Sequence, residues 1–269
     1  MHVPVLSILF MFVSALITIG VPVCLFLFLR KKYFAKILPM LLGVAGFIIF
    51  VLVLESSVHR VVLENFGLRE KPVLYIVYGC FMAGIFEETA RFIAFHILKR
   101  KYRMGDLAYN SIDTGLSYGI GHGGIESVLL AGVSMILAII ASILVNTGNS
   151  EIITGKLQGE ALTVIGGQLE ALLTTAPYMF LVSGIERLLA ISIQLSLSLL
   201  VFYSVYGKNN VYFFPLAILL HAIVDVPAAA FQAGVLKSIA LVEGIVFVSA
   251  VLLAIFVIFL HKRMSLLQS

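Results

Sequence analysis

Residues 86–96 read FEETARFIAFH and set Glu87, Glu88, Arg91 and His96 inside a run otherwise apolar enough to lie in lipid. Glu87 and Arg91 are spaced i,i+4 and Glu88 and Arg91 i,i+3, so on a helix one guanidinium reaches both carboxylates. Two carboxylates side by side share a proton, as in aspartic-protease dyads, and so provide an acid and a base together. One of the pair is expected to hold a proton. The same residues also fit an ion cluster that only locks helix packing. Two further pairs bear on that choice, His122 with Glu126 in YGIGHGGIE and His221 with Asp225 in HAIVD, each one helical turn apart. A carboxylate one turn from an imidazole orients the ring and sets its tautomer.

The elements that carry these groups are apolar spans. Of 269 residues, 61% are hydrophobic and 12% charged, and the mean hydropathy is +1.11. Stretches long enough to cross a bilayer lie at 3–29, 37–58, 73–98, 112–145, 176–206, 211–233 and 236–260. The expected fold is therefore all-α: a polytopic membrane bundle of seven helices forming one domain over 1–269. Lys and Arg divide unevenly between the connections. Arg30, Lys31, Lys32, Lys36, Lys99, Arg100, Lys101, Arg103, Lys208, Lys262 and Arg263 fall on one side, against Arg60, Arg69, Lys71, Lys156 and Lys237 on the other. Positive-inside bias then places the N-terminus outside and the C-terminus in the cytoplasm of a multi-pass cell-membrane protein. The basic residues flank spans, which argues against a nucleic-acid partner. The first span lacks a basic n-region and an A-x-A site and is expected to stay attached. Cys24 and Cys80 fall within spans and read as small apolar residues.

A charge within a span costs about 2.5–3.5 kcal/mol on insertion scales, so such residues face a wet interior and pair. At 1.5 Å per residue, Glu87 lies about 16 Å from the cytoplasmic end of its span, and His122 and His221 about 15 Å inside theirs. Three helices thus bring acids and imidazoles to one level. Glu186, beside Arg187 and roughly 30 Å along its span, belongs at the edge of this group or outside it. His96 reads as interfacial and Asp113 as a helix-terminal residue. Glu55 and Glu243 stand isolated. Gly115, Gly119, Gly121, Gly123 and Gly124 around His122 suit close helix packing or close approach of a substrate. Leu157, Ala161, Ile165, Leu169 and Leu172 or Leu173 form an apolar stripe expected to make 154–175 an amphipathic surface helix.

The FEETAR pair, the YGIGHGGIE segment and HAIVD resemble, in that order, the three motifs of glutamic-type intramembrane proteases, most closely the bacterial YhfC family. The wider group includes the CAAX-prenyl endopeptidases, their bacteriocin-processing relatives and the PrsW proteases. The core motifs fall within 73–233. The first motif corresponds to Glu87, Glu88 and Arg91, the second to Tyr118 and His122 or to His122 and Glu126, and the third to His221 and Asp225. CAAX-type motifs place Arg one residue later and have Phe where this chain has Tyr118, which weakens any inference about CAAX substrates. The resemblance implies cleavage of a membrane protein or membrane peptide within the bilayer. Glu87 or Glu88 would activate a water, and His122 and His221 would position it or stabilise the oxyanion, supported by Arg91, Glu126, Asp225 and Tyr118. No cofactor is expected, with Zn²⁺ as the alternative.

Other chemistries remain open. Two His and several carboxylates suit a Zn²⁺-dependent protease, although H-E-x-x-H is absent. GLSYG matches the G-x-S-x-G elbow at Ser117, whose strand-turn-helix setting a membrane span does not offer. Asp113 and Asp225 do not resemble a paired-Asp site. A proton-coupled transporter also places acids and imidazoles at mid-membrane, but no inverted repeat is visible.

Overall fold

The computed structural model describes residues 2–33, 35–101, 109, 111–207 and 210–266, with 264–266 described through their backbone only. Arg103 and Lys208 of the charge count lie outside the described residues. Among these residues the regular structure is entirely helical. Seven helices are long and apolar enough to cross a membrane, as the hydropathy pattern predicts. They are α1 (Val5–Tyr33), α2 (Ile37–Asn65), α3 (Pro72–Lys101), α4 (Ile112–Asn146), α6 (Pro177–Tyr206), α7 (Phe213–Gln232) and α8 (Ile239–Leu266). Between α4 and α6 comes α5 (Gly159–Thr174), preceded by the single turn Glu151–Thr154.

Most ends fall within a few residues of the apolar stretches. The second helix departs most, running on to Asn65 through SSVHRVVLEN. Its polar residues lower the hydropathy, yet nothing in that segment breaks a helix until Gly67, which takes a left-handed φ of 57°. Pro72 and Pro177 stand first in α3 and α6, where a missing N–H is harmless. Two helices contain π-helical stretches, Phe47–Glu55 in α2 and Val128–Gly132 in α4.

The chain forms two compact units, one of Met1–Val23 with Glu126–Leu188, the other of Cys24–Ile125 with Leu189–Ser269. In the first, Ser14 donates to the Phe180 carbonyl (2.5 Å) and Ser127 to that of Thr18 (3.1 Å). Val3, Met11 and Phe180 form its core. The expected amphipathic helix is present as α5. Its Ile165, Leu169 and Leu172 face Leu137, Ala141 and Leu144 of α4 across a cavity of about 470 Å³.

In the second unit, Leu197, Leu200, Val201 and Phe202 of α6 pack with Phe95 and Leu98 of α3 and with Val246, Ala250 and Leu253 of α8. The α6 window is 72% buried against 17–39% for the other spans. Glycines set the closest approaches. A Cβ on Gly121 would run into the Met40 carbonyl, and one on Gly43 into the backbone of Tyr118 and His122. α2 and α4 therefore meet backbone to backbone. Gly115, Gly119 and Gly123 form a separate stripe, where a Cβ would come within 2.8–3.0 Å of Leu199, Leu195 and Gln194 of α6.

Candidate active site

α3 turns Glu87, Glu88 and Arg91 into the second unit, where all three are buried and Arg91 is 0% exposed. The turn spacing works as the sequence predicts. The Arg91 Nη1 donates to Glu88 Oε1, and its Nη2 donates to Glu87 Oε2 at 3.4 Å. The other helices complete the cluster. His122 of α4 brings Nε2 to 2.9 Å from Glu87 Oε2, and His221 of α7 brings Nδ1 to 2.6 Å from Glu88 Oε1. An ionised carboxylate only accepts, so each imidazole donates through that nitrogen. This puts a proton on Nε2 of His122 and on Nδ1 of His221.

His122 is held from several sides. Phe47, the first residue of the π-helical stretch in α2, packs edge-on at 5.4 Å between centroids, and Tyr118 stacks at 5.9 Å. His122 Nδ1 and the Tyr118 hydroxyl are buried without a hydrogen-bond partner among the described residues. Asp225 Oδ2 lies 3.5 Å from His221 Nε2, so the HAIVD pair meets. The stronger partner of His221 is nevertheless Glu88.

Glu126 is placed differently. It accepts a hydrogen bond from Arg187 Nη1 at 3.3 Å within the first unit, where Arg187 also holds Glu186 at 2.5 Å. The imidazole expected to pair with Glu126 is engaged by Glu87 instead. Arg187 brings Glu126 a counter-charge, whereas a neutral imidazole brings only a hydrogen bond. His96 Nδ1 lies 3.0 Å from the Phe92 carbonyl of its own helix, and Asp113 lies in the first turn of α4 beside Ser111. Ser117 sits within a continuous helix, Ile112–Ser127, so the elbow geometry required of a nucleophilic serine is missing.

Two site residues escape a reading that attends to ionisable groups. Gln194 of α6 donates through Nε2 to Glu87 Oε2 at 3.0 Å and accepts from Arg91 through Oε1. Ser198, one turn along, accepts from Arg91 Nε at 3.1 Å. The available signal is a pair of uncharged polar residues at i,i+4 in the apolar run IQLSLSLL. Gly123 leaves the space that the Gln194 side chain fills.

Glu87 Oε2 thus receives His122, Gln194 and Arg91. Its other oxygen, Oε1, faces His221 Nε2 across 3.8 Å, too far for a direct hydrogen bond and close enough for one water at their side to touch both. The guanidinium lies on both carboxylates, Glu87 Oε2 is already filled by donors, and among the described residues no three His, Cys, Asp or Glu side chains form a metal-holding group.

No solved structure matches the chain. The Bacillus subtilis (strain 168) protein named "Uncharacterized membrane protein YhfC" is 35% identical over 253 residues, covering 91% of this chain and 93% of the relative. The family model described as YhfC intramembrane metalloprotease matches residues 14–246. This multi-pass membrane protein belongs to the YhfC intramembrane metalloprotease family.

Proposed function

We propose that the chain is a glutamic-type intramembrane endopeptidase in which Glu87 is the base. The observation that carries this reading is the asymmetric loading of Glu87. Three donors fix Oε2, while Oε1 faces His221 Nε2 across a 3.8 Å gap. A water seated beside Oε1 and Nε2 gives its proton to Glu87 Oε1 as its oxygen attacks the scissile carbonyl. His221, held at Nδ1 by Glu88, supports the oxyanion through Nε2 when doubly protonated. The C–N bond then breaks, and Glu87 returns the proton to the leaving amine. His122, Gln194 and Arg91 keep the base in place, and Arg91 offsets the charge of the two acids. Substrates on this reading are membrane proteins or membrane peptides.

The family description favours a second reading, in which a metal takes part in hydrolysis. One experiment separates the two. The purified protein is reconstituted with a panel of single-span reporter peptides, and cleavage is read by mass spectrometry. E87Q lowers cleavage by about 10²–10⁴-fold on the glutamic reading, and 1,10-phenanthroline leaves the wild type active. Loss of activity with chelator and recovery with Zn²⁺ would overturn the glutamic reading in favour of the metal.

A further inference from the structure

The cavity between α4 and α5 takes no part in the proposed chemistry. Leu137, Ala141 and Leu144 of α4 line one wall, and Ile165, Gln168 and Leu169 of α5 line the other. All six belong to the first unit. Two further lining residues, Ala138 and Leu172, also pack on the core of Val3, Met11 and Phe180, which fixes the floor of the groove. No residue of α5 is buried, so protein contacts cover this helix incompletely.

The lining narrows the chemistry of an occupant. No charged side chain is among the described lining residues. The Ser134 hydroxyl, also in the lining, donates to the Leu130 carbonyl of its own helix at 3.2 Å. The polar contact on offer is therefore the Gln168 amide, a neutral donor that suits an ester carbonyl better than a free carboxylate. A cavity lined this way stays dry, and in a multi-pass membrane protein the medium around it is hydrocarbon.

Size decides between hydrocarbon and peptide. From Ser134 to Leu144 the groove follows α4 for about 15 Å. Its volume of about 470 Å³ spread over that length gives a mean cross-section of about 30 Å². A strand packed in a sheet takes about 48 Å², and a helix with its side chains about 80–110 Å². Neither a substrate helix nor an unwound peptide fits, whereas a single hydrocarbon chain, which carries no side groups, does.

We propose that one ester-linked acyl chain of a glycerolipid is seated in this groove and bridges α4 to α5. Hydrocarbon then completes the apolar face of α5 that protein leaves uncovered. The site goes beyond the peptidase reading and does not rest on it, since none of its residues belongs to the acid and imidazole cluster.

Photocrosslinking in the full chain tests this. The purified protein is reconstituted in phosphatidylethanolamine and phosphatidylglycerol vesicles with a small fraction of phosphatidylcholine bearing a diazirine at mid-chain, and the crosslinked residues are mapped by mass spectrometry. Leu252 of α8, 62% exposed, reports passing bilayer lipid. A seated chain gives yields at Leu137, Ala141, Ile165 and Leu169 about tenfold above that at Leu252, a preference of about 1.4 kcal/mol. I165W fills the groove from the α5 side and brings those yields down to the Leu252 level, with the Leu252 yield itself unchanged. Equal yields at the groove and at Leu252 in the wild type overturn the proposal, as does an I165W protein that labels like the wild type. Should I165W not accumulate, the wild-type ratio carries the test. Loss of the groove crosslinks on adding a single-span reporter peptide assigns the groove to peptide and also overturns it.

Discussion

Replacing Arg91 by Met keeps most of the side-chain volume and removes every donor that the guanidinium supplies. Those donors serve Glu87, Glu88, Gln194 and Ser198, and Arg91 is 0% exposed. R91M therefore leaves two acids buried against each other with their shared cation gone. Removing one partner of a buried ion pair costs about 3–5 kcal/mol, because the remaining charge is uncompensated. At about 2–4 °C per kcal/mol for a chain of comparable size, Tm falls by about 6–20 °C. Because the chain has no Trp, unfolding is best followed by a maleimide dye that reacts with Cys80. That thiol is 3% exposed and becomes reactive only as the fold opens, whereas Cys24 is exposed from the start. The physical content lies in the double variant. If the loss arises from unpaired charge, adding E88Q removes one of the two acids and restores about 1–3 kcal/mol of it. A fall below 3 °C for R91M, or an R91M/E88Q protein no more stable than R91M, would refute the account of Arg91 as the counter-charge of the site.

The other predictions follow from the same contacts. E87Q lowers the single-turnover cleavage rate of a reporter peptide by about 10²–10⁴-fold, the range for loss of a general base, with Tm measured in parallel. Q194L frees Glu87 Oε2 from one of its three donors and lowers kcat/KM about 10²-fold, as misplacement of a reacting group does; its Tm falls less than that of R91M. G121A forces a Cβ into the Met40 carbonyl and costs about 1–3 kcal/mol of stability by overpacking. The control G166A, where nothing lies within 4 Å of the added carbon, leaves Tm unchanged or slightly raised; equal effects from the two substitutions would contradict the backbone contact between α2 and α4. H122F removes the Nε2 donor while keeping an aromatic ring against Phe47, and abolishes cleavage in the same peptide assay.

What the sequence by itself determined is local in origin. The spans are legible because apolar runs of bilayer length have few other fates, and the Glu87–Glu88–Arg91 clamp is legible because i,i+3 and i,i+4 neighbours on a helix must share a face. The His221–Asp225 contact follows from the same rule. That rule does not say which of several reachable partners a side chain takes. His122 has Glu126 one turn away in its own helix, yet it binds Glu87 of α3, while Glu126 is held by Arg187. Only the tertiary structure decided this, because partner choice depends on how each helix is rotated about its axis. That rotation is set by close packing, above all by Gly43 and Gly121, which let α2 and α4 touch, and by Gly123, which makes room for Gln194. Gln194 and Ser198 were hidden for the same reason: an uncharged polar residue in an apolar span reads as tolerated until a neighbouring helix presents the guanidinium it binds.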